Sequence, residues 1–199
     1  MLDMGFIPDI ERIFRLTPFT RQTLFFSATM APEIERLTKE FLQAPELIEV
    51  SKQASASKSI QQIVAICEPQ RKQESSREKR SVLRNYLEKN TSEIKNGIIF
   101  CNRKRDVDIL RNSLVKYGFD ANAIHGDLDQ KTRTSILKSF SEGKLKFLVA
   151  SDVAARGLDI PAVSHVFNFD IPLHPEDYVH RIGRTGRAGR KGTAVTICL

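Results

Sequence analysis

Cysteine is scarce: Cys67, Cys101 and Cys198 are odd in number, far apart and without CxxC or Cys/His spacing. That pattern excludes a disulfide framework and a zinc site, and reduced thiols in a cytosolic protein are expected. No apolar run approaches bilayer-spanning length, and the opening Met1-Leu2-Asp3-Met4-Gly5-Phe6 has neither the basic start nor the apolar core of a signal peptide. A soluble, cytoplasmic chain with no membrane partner is the expectation. Acid is also in short supply, with 24 Asp and Glu against 31 Lys and Arg and a formal charge of +7. Such a balance favours a polyanion such as nucleic acid over an acidic substrate.

What is present is the balance of a globular protein, 199 residues with 41% apolar and 28% charged side chains, enough for one domain or one domain plus a fragment. Ile10, Ile13, Phe14 and Leu16 fall at helical spacing after Pro8, which predicts a helix over 8–16. A strand at 23–26, a helix over 32–42 and a strand at 47–50 complete an αβαβ run over residues 1–50, too short to bury a two-sided core alone. Ser51 to Ser59, SKQASASKS, reads as a linker.

Residues 60–199 form the second domain. Strands are predicted at 62–67, 97–101, 121–124, 147–150, 163–168 and 194–199, with helices at 78–89, 104–117, 130–140 and 175–182. This alternation predicts an α/β fold: a mainly parallel sheet with helices on both faces and ligand loops at the strand ends. The mixed-charge stretch Arg71 to Arg80 reads as a solvated loop running into a helix. Gly183, Gly186, Gly189 and Gly192 recur every third residue, but without proline they cannot sustain a collagen helix.

The segment that carries most chemistry is His180-Arg181-Ile182-Gly183-Arg184-Thr185-Gly186-Arg187, followed by Ala188-Gly189-Arg190-Lys191-Gly192. Arginines three apart share one side of a helical turn, and each offers a planar fork to phosphate oxygens. The glycines between them let backbone approach a ligand. The cluster suits either RNA phosphates or arginine fingers for phosphoryl transfer; a plain basic surface loop is the bland alternative. His174, Asp177 and His180 sit three apart, yet no metal is expected there. His125 at a strand end suits a backbone-bonded loop histidine, and no His and Asp pattern in the sequence accompanies Ser27 and Thr29 as it would a nucleophile. Phe25, Phe26, Phe140 and Phe147 are expected in the core.

HRIGRTGR resembles motif VI of the DEAD-box helicases, a family built from two RecA-like domains that close on ATP and RNA. Other segments agree in order: Ser27-Ala28-Thr29 resembles motif III, Ile98-Ile99-Phe100-Cys101-Asn102 motif IV, and Gln130 with Arg133 the QxxR motif. Ser151-Asp152-Val153-Ala154-Ala155-Arg156-Gly157-Leu158-Asp159 resembles motif V, and Asp170-Ile171-Pro172 the short element before motif VI. Motifs V and VI together are highly specific. The opening resembles the stretch that follows the DEAD tetrapeptide, and the wording looks closest to bacterial RhlE-like members.

The resemblance implies a RecA-like C-terminal domain at 60–199, truncated at its end, preceded by a linker at 51–59 and by the last part of a first RecA-like, ATP-binding domain at 1–50. It makes Arg184 and Arg187 the ATP-facing arginine fingers, with Asp159, Gly157 and His180 on the nucleotide side. Asn102, Arg103, Gly126, Gln130, Arg133 and Ser151 fall where the family holds the RNA backbone, reading shape and the 2′-hydroxyl without regard to sequence. Ser27, Ala28 and Thr29 would couple the domains, and Asp152 with Arg156 would form a structural ion pair or interdomain contact. Ser151 stands where the family usually has threonine and keeps the hydroxyl.

No GxxxxGK[ST] loop, DEAD tetrapeptide or upstream glutamine motif occurs in the chain. ATP and Mg²⁺ therefore belong to the full-length enzyme, and neither should bind this chain tightly. The expected partners are RNA and the missing N-terminal RecA-like domain. The expectation is a piece of an ATP-dependent RNA helicase that is inactive alone. An ATP-independent RNA-binding or annealing module and a truncated gene product are the alternatives.

Overall fold

Five-residue runs such as Gly97–Cys101 and Phe147–Ser151 are apolar at nearly every position, the pattern of strands covered on both faces. In the computed structural model, which describes residues 7–27, 30, 32–48, 59–68, 74–155 and 160–199, they form the centre of a sheet. The chain divides into two units, residues 1–55 and 56–199.

The first unit holds α1 (Ile7–Leu16) and α2 (Pro32–Phe41), the latter opening on a proline suited to a first turn. Phe14 stacks on Phe41 with ring centres 4.7 Å apart, Arg36 pairs with Glu11 at 3.1 Å, and Ile34 and Leu37 are buried. The strands expected at 23–26 and 47–50 are not formed over their described residues. A strand is fixed by its ladder, and in this unit no described segment pairs with either run. Phe26, expected in the core, is 89% exposed.

The second unit alternates β1 (Ile60–Ile66), α3 (Ser75–Lys89), β2 (Gly97–Cys101), α4 (Lys104–Lys116), β3 (Ala121–Ile124), α5 (Gln130–Ser141), β4 (Phe147–Ser151), α6 (Asp152–Ala155), β5 (His165–Asn168), α7 (Pro175–Ile182) and β6 (Gly192–Cys198). The six strands lie in the order β1-β6-β5-β2-β4-β3, and every pairing is parallel. The mainly parallel sheet is thus wholly parallel. Ser59, the last residue of the expected linker, already accepts the Gly192 N–H beside the start of β1.

Side chains alternate between two faces, as strand geometry demands. Leu83 and Leu87 of α3 and Val107, Leu110 and Leu114 of α4 pack with Ile99, Val149, Phe167 and Val195 on one face. Ile136 and Phe140 of α5 and Ala154 and Ala155 of α6 meet Ile98, Phe100, Leu148 and Val166 on the other. α7 shares that second face, its Arg181 guanidinium lying 5.3 Å from the Phe100 ring centre. Each fully buried Leu or Ile contributes about 1.5–3 kcal/mol. This two-faced core holds the loops at the carboxyl ends of β2, β3, β4 and β5 along one rim.

Candidate functional site

The rim begins where β2 and β4 end side by side, with Cys101 opposite Ser151. Asn102 and Arg103 follow β2, exposed, and Arg103 is the extended residue from which α4 starts. Next to β4 comes β3, whose end leads into His125, Gly126 and the start of α5. Asp129 caps that helix by accepting from the Thr132 N–H at 2.9 Å and its hydroxyl at 2.6 Å, and those bonds hold its carboxyl below the ordinary range. Gln130 and Arg133 occupy the first turn. Arg133 donates to the His125 carbonyl at 3.4 Å. Asn102, Arg103, Gly126, Gln130, Arg133 and Ser151 therefore stand along three adjacent strand ends, although Ser151 is itself buried. A Cβ at Gly126 would meet nothing within 4 Å, so packing within the chain does not require glycine there.

Behind the rim lies a buried charge network centred on Arg181, which is 2% exposed. Its fork donates to Asp152 through Nε to Oδ1 at 2.7 Å and Nη2 to Oδ2 at 2.5 Å. Nη1 donates to the Asp170 carbonyl at 2.6 Å, and Nη2 also donates to Asn102 Oδ1 at 2.7 Å. Asp152 was expected to pair with Arg156; the described partner is Arg181, and Arg156 lies outside the described residues. Lys79, inside the stretch read as a solvated loop and helix start, is buried and donates to Asp170 Oδ1 at 2.7 Å. The sequence signals that would have found these two are a lysine on the apolar side of α3 and the first arginine of HRIGRTGR, one helical turn before Arg184.

The three arginines do not share one side of a helix. α7 stops at Ile182, so Arg181 points inward, Arg184 is half-buried, and Arg187 is exposed in a 3-10 turn, Arg187–Gly189. Arg184 lines a small hollow with Phe100, Asp152, Ala155, Asp177, His180 and Arg181. Burial, and then the charge of nearby Arg187, push the Arg184 guanidinium below its ordinary range; a bound anion would relieve both. Arg187 lines a separate cavity of about 890 Å³ at the amino ends of the strands, with Lys95, Arg190 and Lys191.

Two of the repeated glycines serve packing and not ligand approach. Gly186 has φ +66 and would place a Cβ 2.6 Å from Ile60 Cγ1, and a Cβ at Gly192 would lie 2.1 Å from Thr185 Oγ1. His125 does bond through its backbone, its carbonyl accepting from Leu128 and Arg133, and its ring also sits 3.2 Å from Asp108. Ala28, Thr29, Gly157 and Asp159 lie outside the described residues; Ser27 is described and exposed. Among the described residues, no helix is long and apolar enough to cross a membrane.

A profile of the helicase conserved C-terminal domain matches residues 78–189. The chain is 49% identical over 197 residues to the ATP-dependent RNA helicase CshA of Listeria monocytogenes and 46% identical over 196 residues to the DEAD-box ATP-dependent RNA helicase CshA of Bacillus subtilis. Each match takes in 98% of this chain and 36% or 38% of the relative, so the chain spans little more than a third of their length. The expected likeness to RhlE-like members gives way to CshA, the name these matching bacterial relatives carry. The fold is similar to that of S. cerevisiae Dbp5 bound to RNA and ADP BeF3, with TM-score 0.85 and 33% identity over 100% of this chain and 50% of that one. It is also similar to E. coli SrmB bound to RraA, with TM-score 0.64 and 40% identity over 71% of this chain and 78% of that one. Motif order, the all-parallel sheet and these likenesses together make the chain a member of the helicase conserved C-terminal domain family, as the RecA-like C-terminal helicase domain of a DEAD-box RNA helicase.

Proposed function

We propose that this chain supplies the RNA-holding and arginine-finger half of an ATP-dependent RNA helicase and works only together with an N-terminal RecA-like domain. The observation that carries the reading is the gathering of Asn102, Arg103, Gly126, Gln130, Arg133 and Ser151 at the carboxyl ends of the adjacent strands β2, β4 and β3. Exposed Arg103, half-buried Arg133 and the exposed amides of Asn102 and Gln130 along one rim suit a sugar-phosphate backbone, which lacks base information. His180 and Arg184, which share one hollow, would hold the nucleotide with Gly157 and Asp159, and Arg187 would reach it from its exposed turn. Arg184 suits that task because burial and a like charge leave its cation short of compensation. ATP with Mg²⁺ supplies the cleavable terminal phosphate when bound; this chain's arginines would stabilise charge on it, and Ser27, Ala28 and Thr29 would couple the two halves. Residues 1–50, 51–59 and 60–199 then serve as the end of the first domain, the linker and the second domain of a cytoplasmic enzyme.

The test compares ATP hydrolysis, with and without single-stranded RNA, by this chain and by the chain extended upstream through a P-loop and DEAD segment. RNA-stimulated turnover is expected in the extended form alone, and Arg184→Ala should lower it by about 10³-fold or more, the scale of a lost arginine finger. Turnover by the short chain alone would refute this division of labour. Strand annealing by the short chain without nucleotide would favour an ATP-independent binding module.

A further inference from the structure

Among the described residues Lys79 is the only buried lysine, at 8% exposed. An ammonium out of water is unfavourable unless it is paired and hydrogen-bonded. Its partner is Asp170, 2.7 Å away, and it lies 4.5 Å from the Phe169 ring centre. The second oxygen of Asp170 accepts the Asn102 backbone N–H at 3.1 Å, and the Asn102 side chain donates to the Ile171 carbonyl at 2.9 Å. The loops after β2 and β5 are thus tied to each other by the Asp170 carboxylate, by the Asn102 amide and by the Asp170 N–H, which donates to the Phe100 carbonyl at 3.2 Å. Two cations reach this tie from opposite faces of the sheet: Lys79 from α3, and Arg181 from α7 through the Asp170 carbonyl and the Asn102 side chain.

Arg181 makes bonds enough to be held without Lys79, whereas Asp170 Oδ1 has Lys79 as its ion-pair partner. We propose that Lys79 is a positioning residue for the RNA side of the site: by fixing the Asp170 carboxylate it sets where Asn102 and Arg103 stand for a phosphate. This rests on the RNA reading above. A purely stabilising role would tie RNA affinity to folding stability, and a positioning role would not.

Lys79→Met alone strands a carboxylate and is expected to lower the melting temperature. Lys79→Met with Asp170→Asn removes both charges and should melt close to the parent chain. Two readouts decide: amide hydrogen exchange at Asn102, and fluorescence anisotropy with a labelled single-stranded oligouridine. In the double variant the Asn102 amide is expected to exchange faster and the RNA dissociation constant to rise about tenfold, the scale of one lost charge-assisted hydrogen bond, despite recovered stability. Affinity that recovers with the melting temperature, or unchanged exchange at Asn102, overturns the proposal. With anisotropy read on the chain extended upstream through the P-loop and DEAD segment, a parent that does not bind oligouridine defeats the RNA reading instead, and the exchange result still decides whether Lys79 holds this loop.

Discussion

The two units treat similar apolar sequence in opposite ways. In residues 56–199, Ile98, Ile99, Leu148 and Val149 are 0% exposed, each strand lying between two others and under helices. In residues 1–55, Leu24, Phe26, Leu47 and Ile48 are 70–89% exposed and no described residue is in a strand. Strand propensity is a fit to neighbours more than a property of the run, so the same residue types make a core in one unit and an open apolar surface in the other.

The sharpest form of this contrast is a pair of phenylalanine truncations. Phe167 is fully buried, edge-on to Tyr86 and stacked with His165, so Phe167→Ala should cost about 3–5 kcal/mol in urea unfolding. Phe26→Ala, at an 89% exposed position, should change stability by less than about 0.5 kcal/mol and reduce aggregation at high concentration, read by light scattering. A large loss from Phe26→Ala would mean that the first unit buries this ring in solution, and the contrast would fail. Arg181 extends the comparison to charge. Arg181→Leu should cost about 3 kcal/mol by stranding Asp152, and Arg181→Leu with Asp152→Asn should recover most of it, measured by the same unfolding. Thr185, buried with its hydroxyl on the Val163 carbonyl at 2.6 Å, gives a smaller effect: Thr185→Val should cost about 1–2 kcal/mol.

Those residues also mark what the sequence made legible. Gly97–Cys101 was readable to the residue because a continuous apolar run bounded by turns has one solution inside a parallel sheet, and the proline-led amphipathic turn likewise marked the start of Pro175–Ile182. The runs at 23–26 and 47–50 are also rich in apolar residues, but no described segment pairs with their described residues, and propensity cannot report an absent neighbour. The rim residues were readable through motif spacing. For Lys79 and Arg181 the sequence offers only a helix face and a motif position, because the carboxylates that let each cation be buried sit 91 and 29 positions away in the chain. The start of β6 was read two residues late: Gly192 looks like a loop glycine until Thr185 is seen against it.

The smallest effect separates the units by pH. His165 opens β5, stacks on Phe167 and contacts the Ser164 hydroxyl at 3.0 Å. Burial holds its pKa below the ordinary 6.5, against the weaker opposing pull of Glu93. In the unfolded chain the ring regains its ordinary pKa and takes up a proton first as the solution is acidified. Between 6.5 and the lower folded value the unfolded state therefore binds more protons, and stability falls with falling pH. The contribution is fully present above 6.5 and is lost below it. His165→Phe keeps an aromatic ring against Phe167 and removes the titration. Urea unfolding from pH 7.5 down to 5 should show the parent losing more stability than His165→Phe, with the difference confined to the region below 6.5. Parallel curves would mean that the ring is as open to the proton in the folded sheet as in the unfolded chain, and the second unit's core would be less closed at the start of β5 than its packing implies.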